Sequence, residues 1–583
     1  MTDTTLKAGS IITMDPANPR AEAIAFDSTT GVITAVGTVA DCQAVAPGVD
    51  VTDLGQTVLM PGFVEAHSHP ILAGLLTQAP VHWIAASNGF TTFDQVAALW
   101  TSVNADAPAG APVVFYGLDR PTQGVGAPTN TTLDGYFPDR PAVVLDNSGH
   151  AVYVNSKVIA SLGWPGGKPP ADPPGARYGR NADGTSNGIG YETAAIVAMA
   201  MPTINQVVTD PLKSAAAFIH LMASNGITAT TDMAYTDSMT AGYEALLSRP
   251  DTPLRLSIYR SMTGTDAHGL VDSSLPAAMF QQLGVKLWAD GSPFLGTLAA
   301  SFPYVDSDVV QKADIPIGPG SDANMNWTRQ HLDPILDSFA GSGVQLACHI
   351  NGDVALDIIL DAYERALATQ GLLGTDHRWR IEHCGGARAD QLQRAHAMGL
   401  VLSLALYQVV YWGDLLDGQM FESEIGSQWC RAGDAIKSGA VTTFHNDGSV
   451  SPPIPLLNMQ AMVTRRCDSG HVHGPQQMVS MEDALKAHTV HAAWQIGRDK
   501  DLGSITAGKL ADLVELSADP LAADPAKLTE QVKVVSTWRA GSKIDLDTFL
   551  KEVEAMDPTE HQHLAHEAAG HHCCAHNPAG HKH

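Results

Sequence analysis

The sequence predicts an α/β fold: a (β/α)8 TIM-like barrel with insertions, plus a small β-sandwich domain built from both chain ends. Two observations carry this. Across residues 61–495, short apolar runs (GVKLWADG, VQLACHI, RWRIEHC, LVLSLAL, AVTTFHND) alternate with helix-patterned stretches such as VALDIILDAYERALATQ and ADQLQRAHAMG. Alternation of that kind is the signature of parallel βαβ units, and over so long a stretch a barrel is the leading arrangement. The chain ends, by contrast, both read as short strands separated by turns. A doubly wound open sheet is the alternative, but no Gly-rich phosphate fingerprint follows the early strands.

Taken in order, residues 1–60 hold SIITMD, AEAIAFD, GVITAVG and QTVLMPG. Such strands cannot bury their apolar faces alone. Residues 496–550 repeat the texture in DLGSITAGKLADLVELS and KVVSTWRAGSKI, so the two ends are expected to pair. Within the barrel, a Pro/Gly/Asp-rich stretch at about 120–200 (PPADPPGARYGRNADGTSNG) reads as a long loop or inserted subdomain over the barrel mouth. Residues 551–583 form a His/Cys-rich tail of low complexity, expected to be disordered.

Composition narrows the function classes. Against 34 Lys+Arg stand 61 Asp+Glu, a net charge of −27 that repels phosphate backbones and argues against nucleic acid. No apolar run is long enough to span a bilayer, and the start MTDTTLKAGS lacks the basic residues of a secretory signal. Five of the seven cysteines are scattered singly and two are vicinal, which is no disulfide framework and suits a reducing cytoplasm.

The chemistry begins at PGFVEAHSHP. Side chains alternate on a strand, so Phe63, Glu65, His67 and His69 share one face, and two imidazoles two residues apart can grip one cation. Lys286 in LGVKLWADGS is flanked by Val285, Leu287 and Trp288, so its amine is expected to point inward. A buried ammonium is costly. It either pairs with an acid such as Asp290 or reacts with CO2 to become a carbamate. His349, His383 and Asp447 each end a short apolar strand, where barrel strands converge on one mouth.

In this order, HSH then Lys, His, His and Asp, the chain resembles the amidohydrolase superfamily. Its phrases VLMPGFVEAHSHP, GVKLWADGSP, HINGDVALDIILDAYERAL, RIEHC, FHNDGS and DLGSITAGKLADLVELSADP look like the Amidohydrolase 3 branch, which includes N-substituted formamide deformylases. The resemblance covers roughly residues 5–545. It implies two divalent metals per chain, zinc by default with manganese, iron or cobalt as alternatives. His67 and His69 would hold the first, His349 and His383 the second, and a carbamate on Lys286 would bridge them. Asp447 would touch the first metal and carry the proton of the attacking water. The implied reaction is hydrolysis of a non-peptide C–N bond of the amide type in a small molecule. FHNDGS departs from the branch's usual GSD followed by Pro, and His445, on the Asp447 face, competes as ligand or proton carrier. His150 and Asn155 in DNSGHAVYVNS resemble a phrase near the substrate pocket, and with Trp288 they are the substrate-binding candidates. Trp83, Tyr407 and Trp412 either line that pocket or pack the core. His488 and His491, three apart on a helix pattern, read as structural.

Two rival readings stay open. A deaminase, or a lactone or ester hydrolase, uses the same machinery. Many mononuclear deaminases of the superfamily carry Glu three residues after the fifth-strand His, and here that residue is Gly352. The other rival is a metal-storage or metal-delivery protein acting through the tail, where His571, His572, Cys573, Cys574 and His576 cluster. A homodimer is compatible with a barrel enzyme of this size.

Overall fold

The computed structural model describes residues 3–173, 175–262, 269–319 and 324–556. Eight parallel strands form the barrel: β1 Phe63–Glu65, β2 Ile227–Tyr235, β3 Arg255–Ser261, β4 Phe280–Trp288, β5 Gln345–Ile350, β6 Arg380–His383, β7 Val401–Leu404 and β8 Thr442–Phe444. They pair in sequence order. Closure comes just beyond the strand ends, where Ser68 bridges Gly448 in parallel and the His69 N–H donates to the Gly448 carbonyl at 3.0 Å. The apolar runs of β5 to β8 are buried throughout because helices cover their outer side. The two helix-patterned stretches form helices Asp353–Thr369 and Ala389–Ala397.

The two chain ends meet in one eight-stranded sheet. Leu513–Leu516 pairs antiparallel with Val58–Pro61, joining the C-terminal strands to the N-terminal ones. Its apolar face holds Leu6, Ile11, Ile24, Phe26, Leu59 and Trp538. A buried ion pair ties this sheet to the barrel: Arg255 on β3 donates to Asp512 at 2.6 and 3.0 Å.

A third sheet of six strands occupies the insertion, running from His82–Trp83 to Ser186–Tyr191. This corrects the bounds of about 120–200 read from composition. Residues 82–118 carry a parallel strand–helix–strand unit, Trp83 and Tyr116 included. Locally it is indistinguishable from a barrel unit, because the same βαβ physics builds both. The insertion roofs the mouth: Tyr116 Oη lies 2.9 Å from Ser449 Oγ, and Asn147 Nδ2 donates to the Val450 carbonyl at 3.4 Å.

Candidate metal centre

β1 ends at Glu65, and the alternation continues through His67 and His69 into the mouth. Asp447, three residues past β8, stands against them: its Oδ1 is 3.4 Å from both His67 Nε2 and His69 Nε2. Its Oδ2 is 3.8 Å from His383 Nδ1 and accepts the Tyr407 hydroxyl at 3.1 Å. His383 and Asp447 both adopt left-handed backbone (φ 72° and 53°), a strained conformation that aims these side chains at the mouth.

The sequence-derived residues meet in one cavity of about 250 Å³ whose walls include His67, His69, Lys286, His349, His383 and Asp447. His383 packs on His67 and His349, with ring centroids 4.8 and 4.4 Å apart. His349 Nε2 faces the Gly291 carbonyl and the Asn351 amide, each at 3.1 Å. His445 is also in the cluster, stacked on His67 at 4.6 Å with Nε2 3.2 Å from His383 Nδ1. Among the described residues, two donor groups converge here: His67, His69, Asp447 and His67, His383, His445.

Burial drives the electrostatics. It holds the His67, His349 and His383 imidazoles well below their ordinary range, so they are neutral and keep a lone pair. His445 is pushed down to about 4 for the same reason. Burial would raise Asp447, but His69 overrides it, and the carboxylate stays well below its usual range. Neutral imidazoles around an ionised carboxylate suit a borderline divalent cation. His69 Nδ1 turns away, 3.9 Å from Asp232 Oδ1, which leaves Nε2 on the Asp447 side. The residues therefore fit a metal.

Lys286 is buried, with Nζ 3.3 Å from His67 Nε2 and 5.2 Å from the Trp288 ring. Among the described residues it forms no ion pair. The expected alternative partner, Asp290, instead accepts the N–H groups of Ala299, Asn351 and Gly352 at 2.8–3.1 Å. Burial lowers the Lys286 amine to about 8 despite Glu382 and Asp447 nearby.

Of the substrate-binding candidates, His150 and Trp288 line the cavity. The His150 ring lies 4.8 Å from that of His349, and its Nδ1 is 2.9 Å from Glu192. Asn155 is a correction. It caps helix Ser156–Ser161, accepts from Ala142 and Val158, and donates to the Phe137 and Arg140 carbonyls. With every amide position used by the scaffold, it has none left for a substrate. The tail candidates His571, His572, Cys573, Cys574 and His576 lie outside the described residues. Trp83 and Trp412 do not line the cavity, whereas Tyr407 does; Trp412 Nε1 donates to Asp119 at 2.6 Å.

Sequence reasoning missed Glu382 and the role of Tyr407. Glu382 Oε2 accepts the His67 Nδ1–H at 2.6 Å, and its carboxylate also takes the Arg380 guanidinium. A carboxylate so placed fixes the tautomer, leaving Nε2 free to ligate. A signal was present: Arg380 and Glu382 alternate on a fully buried strand, where two charges on one face must find partners. Glu65 is a second such residue, bonded to the Asn446 backbone and side chain at 2.7 Å and pushed up by burial to about 8.

Barrel and mouth together present a donor set that fits a divalent metal. Residues 50–544 match the Amidohydrolase family, Amidohydro_3, and the chain belongs to it. It is 24% identical over 557 residues to an N-substituted formamide deformylase of Arthrobacter pascens, covering 93% of this chain and 98% of that one. Protein LONG AFTER FAR-RED 3 of Arabidopsis thaliana is also 24% identical, over 92% of this chain and 90% of its own. The crystal structure of an uncharacterized metal-dependent hydrolase from Pyrococcus horikoshii shares the fold, with a TM-score of 0.66 at 20% identity over 90% of this chain and 99% of that one. Among the described residues no helix is long and apolar enough to cross a membrane.

Proposed function

We propose that this protein hydrolyses a non-peptide C–N bond, of the amide type, in a small molecule bearing an apolar group. The observation that carries it is the Asp447 carboxylate, within 3.1–3.8 Å of His67, His69, His383 and Tyr407 at the floor of an accessible cavity. A divalent metal held there, zinc by default and two per chain, would supply a hydroxide nucleophile near neutral pH and would polarise the carbonyl. His67, His69, His349 and His383 would be its ligands, and a carbamate on Lys286 would complete the set; the buried amine, in no ion pair among the described residues, supports that role.

Asp447 is ionised and accepts the proton of the attacking water. It then delivers that proton to the leaving nitrogen, a step an amide needs because an amide anion leaves poorly. The Tyr407 hydroxyl holds Oδ2 in place for this transfer. His150, braced by Glu192, faces the substrate space beside His349. Much of the rest of the cavity wall is apolar, with Leu72, Leu76, Ile196, Ala200, Met239 and Phe294, and suits an aliphatic or aromatic substituent. The relative named for deformylation of N-substituted formamides supports an amide over an ester. The test is Asp447→Asn, assayed on a panel of N-substituted amides with metal content measured in parallel. Turnover should fall by about 10²–10⁴ with the fold intact; unchanged turnover overturns the assignment.

A further inference from the structure

Beyond the catalytic mouth, residues 465–474 fold back as a tight loop, with Arg466 bridging Val472, over helix Tyr407–Leu416. The loop carries Cys467-x3-His471-x-His473 and the helix carries Asp414. Cys467 and His473 are buried, each 8% exposed. The donor atoms of Asp414, Cys467 and His473 lie within 4.8 Å of one another. Cys467 Sγ is 3.5 Å from Asp414 Oδ1 and 3.6 Å from His473 Nε2. His473 Nε2 and His471 Nδ1 approach the same Asp414 oxygen at 2.8 and 2.9 Å.

The two sulfur separations, 3.5 and 3.6 Å, match a tetrahedral ion. With metal–sulfur bonds of about 2.3 Å and metal–nitrogen or –oxygen bonds of about 2.0–2.1 Å, sulfur sits about 3.5 Å from each other ligand. The shorter nitrogen–oxygen separations would open by about half an ångström to reach the tetrahedral edge. A second observation is independent of these distances. The far side of the His473 ring, Nδ1, is 2.8 Å from Asp417 Oδ2. A ligating imidazole almost always donates its other N–H to such a group, which sets the tautomer and leaves Nε2 for the metal. Gly413 permits the close approach, since a Cβ there would lie 2.8 Å from His473 Cδ2 and 3.0 Å from Cys467 Cβ.

We propose that Cys467, His473 and Asp414 form a second metal site, structural in kind, for a borderline divalent cation such as zinc, with the exposed His471 turning in as the fourth ligand. Three ligands are gathered already, His471 closes the coordination sphere, and one thiolate with one carboxylate balances a dication. The metal rivets the loop to the helix whose first residue, Tyr407, donates to Asp447. His471 is 73% exposed at the side chain, so the ion enters from solvent.

The experiment uses full-length protein with Cys573 and Cys574 replaced by Ser, so that the tail contributes no thiolate, and Co²⁺ alone as the probe. The barrel-mouth donors are imidazoles and a carboxylate, so a sulfur-to-cobalt charge-transfer absorption reports the second site. It should appear on titration and be lost in Cys467→Ser. Its absence, or its persistence in Cys467→Ser, overturns the proposal. If Cys467→Ser fails to fold, His471→Ala at the exposed edge decides. Cobalt affinity at this absorption, read by chelator competition, should weaken about tenfold or more, and unchanged affinity overturns the site.

Discussion

Replacing Glu382 by Gln should loosen the metal and weaken the fold by separable amounts. Glu382 is fully buried, and one oxygen takes the His67 Nδ1–H at 2.6 Å while also accepting Arg380 Nη2 at 2.8 Å. A glutamine has the same shape, but whichever way its amide turns, its NH2 faces a donor: Arg380 Nε if the oxygen keeps the His67 side, or the His67 Nδ1–H and Arg380 Nη2 if it does not. Loss of an orienting carboxylate behind a ligating histidine costs about 10–100-fold in metal affinity, or about 1.4–2.8 kcal/mol. Breaking a buried pair costs about 3–5 kcal/mol, since the acceptors left around Arg380 are neutral, among them the Ala66 carbonyl at 2.8 Å and the Tyr259 hydroxyl at 3.1 Å. Chelator competition reads the first quantity, and denaturant unfolding of the metal-free protein reads the second. A folded Glu382→Gln protein whose barrel-mouth metal affinity matches wild type would refute the claim that Glu382 sets the His67 tautomer for ligation.

Lys286→Ala should lower the tightly held barrel-mouth metal from two to one and reduce turnover by roughly a hundredfold or more, with partial rescue by a short carboxylic acid. Two metals retained at full activity would rule out the carbamate. For acid stability, burial lowers His488 to about 3 and neither ring nitrogen has a hydrogen bond, so the folded state resists its protonation. The unfolded chain takes the proton below its ordinary value of 6.5, so stability is complete above that pH and is lost by up to about 1.4 kcal/mol per unit down to about 3. His488→Met should move the acid-unfolding midpoint to lower pH, and an unmoved midpoint would discount this residue. Ile196→Asn, in the apolar wall, should cut kcat/KM about tenfold for amides with bulky apolar substituents and little for the smallest; an equal loss for both would remove the apolar chamber from substrate recognition.

Local pattern alone determined a good deal. A two-residue period puts His67 and His69 on one face, and alternation of apolar runs with helical stretches dictates parallel strands whose C-terminal ends share a mouth. Both are nearest-neighbour properties of the chain, so His349, His383 and Asp447 could be placed at strand ends without knowing their partners. Partners are another matter, because they come from residues hundreds of positions apart. Lys286 and Asp290 are neighbours in sequence, yet Asp290 is occupied by backbone amides and Lys286 faces His67. Asn155 looked like a substrate ligand and is a helix cap. The insertion begins near residue 82 because a βαβ unit reads the same inside a barrel or beside it. Glu382 behind His67, Tyr407 against Asp447, and the meeting of Asp414 with Cys467 and His473 were decided only when the tertiary fold brought separate elements together. Side-chain chemistry is local, but which charge, lone pair or thiol it confronts depends on packing, and no periodicity in the chain encodes that distance.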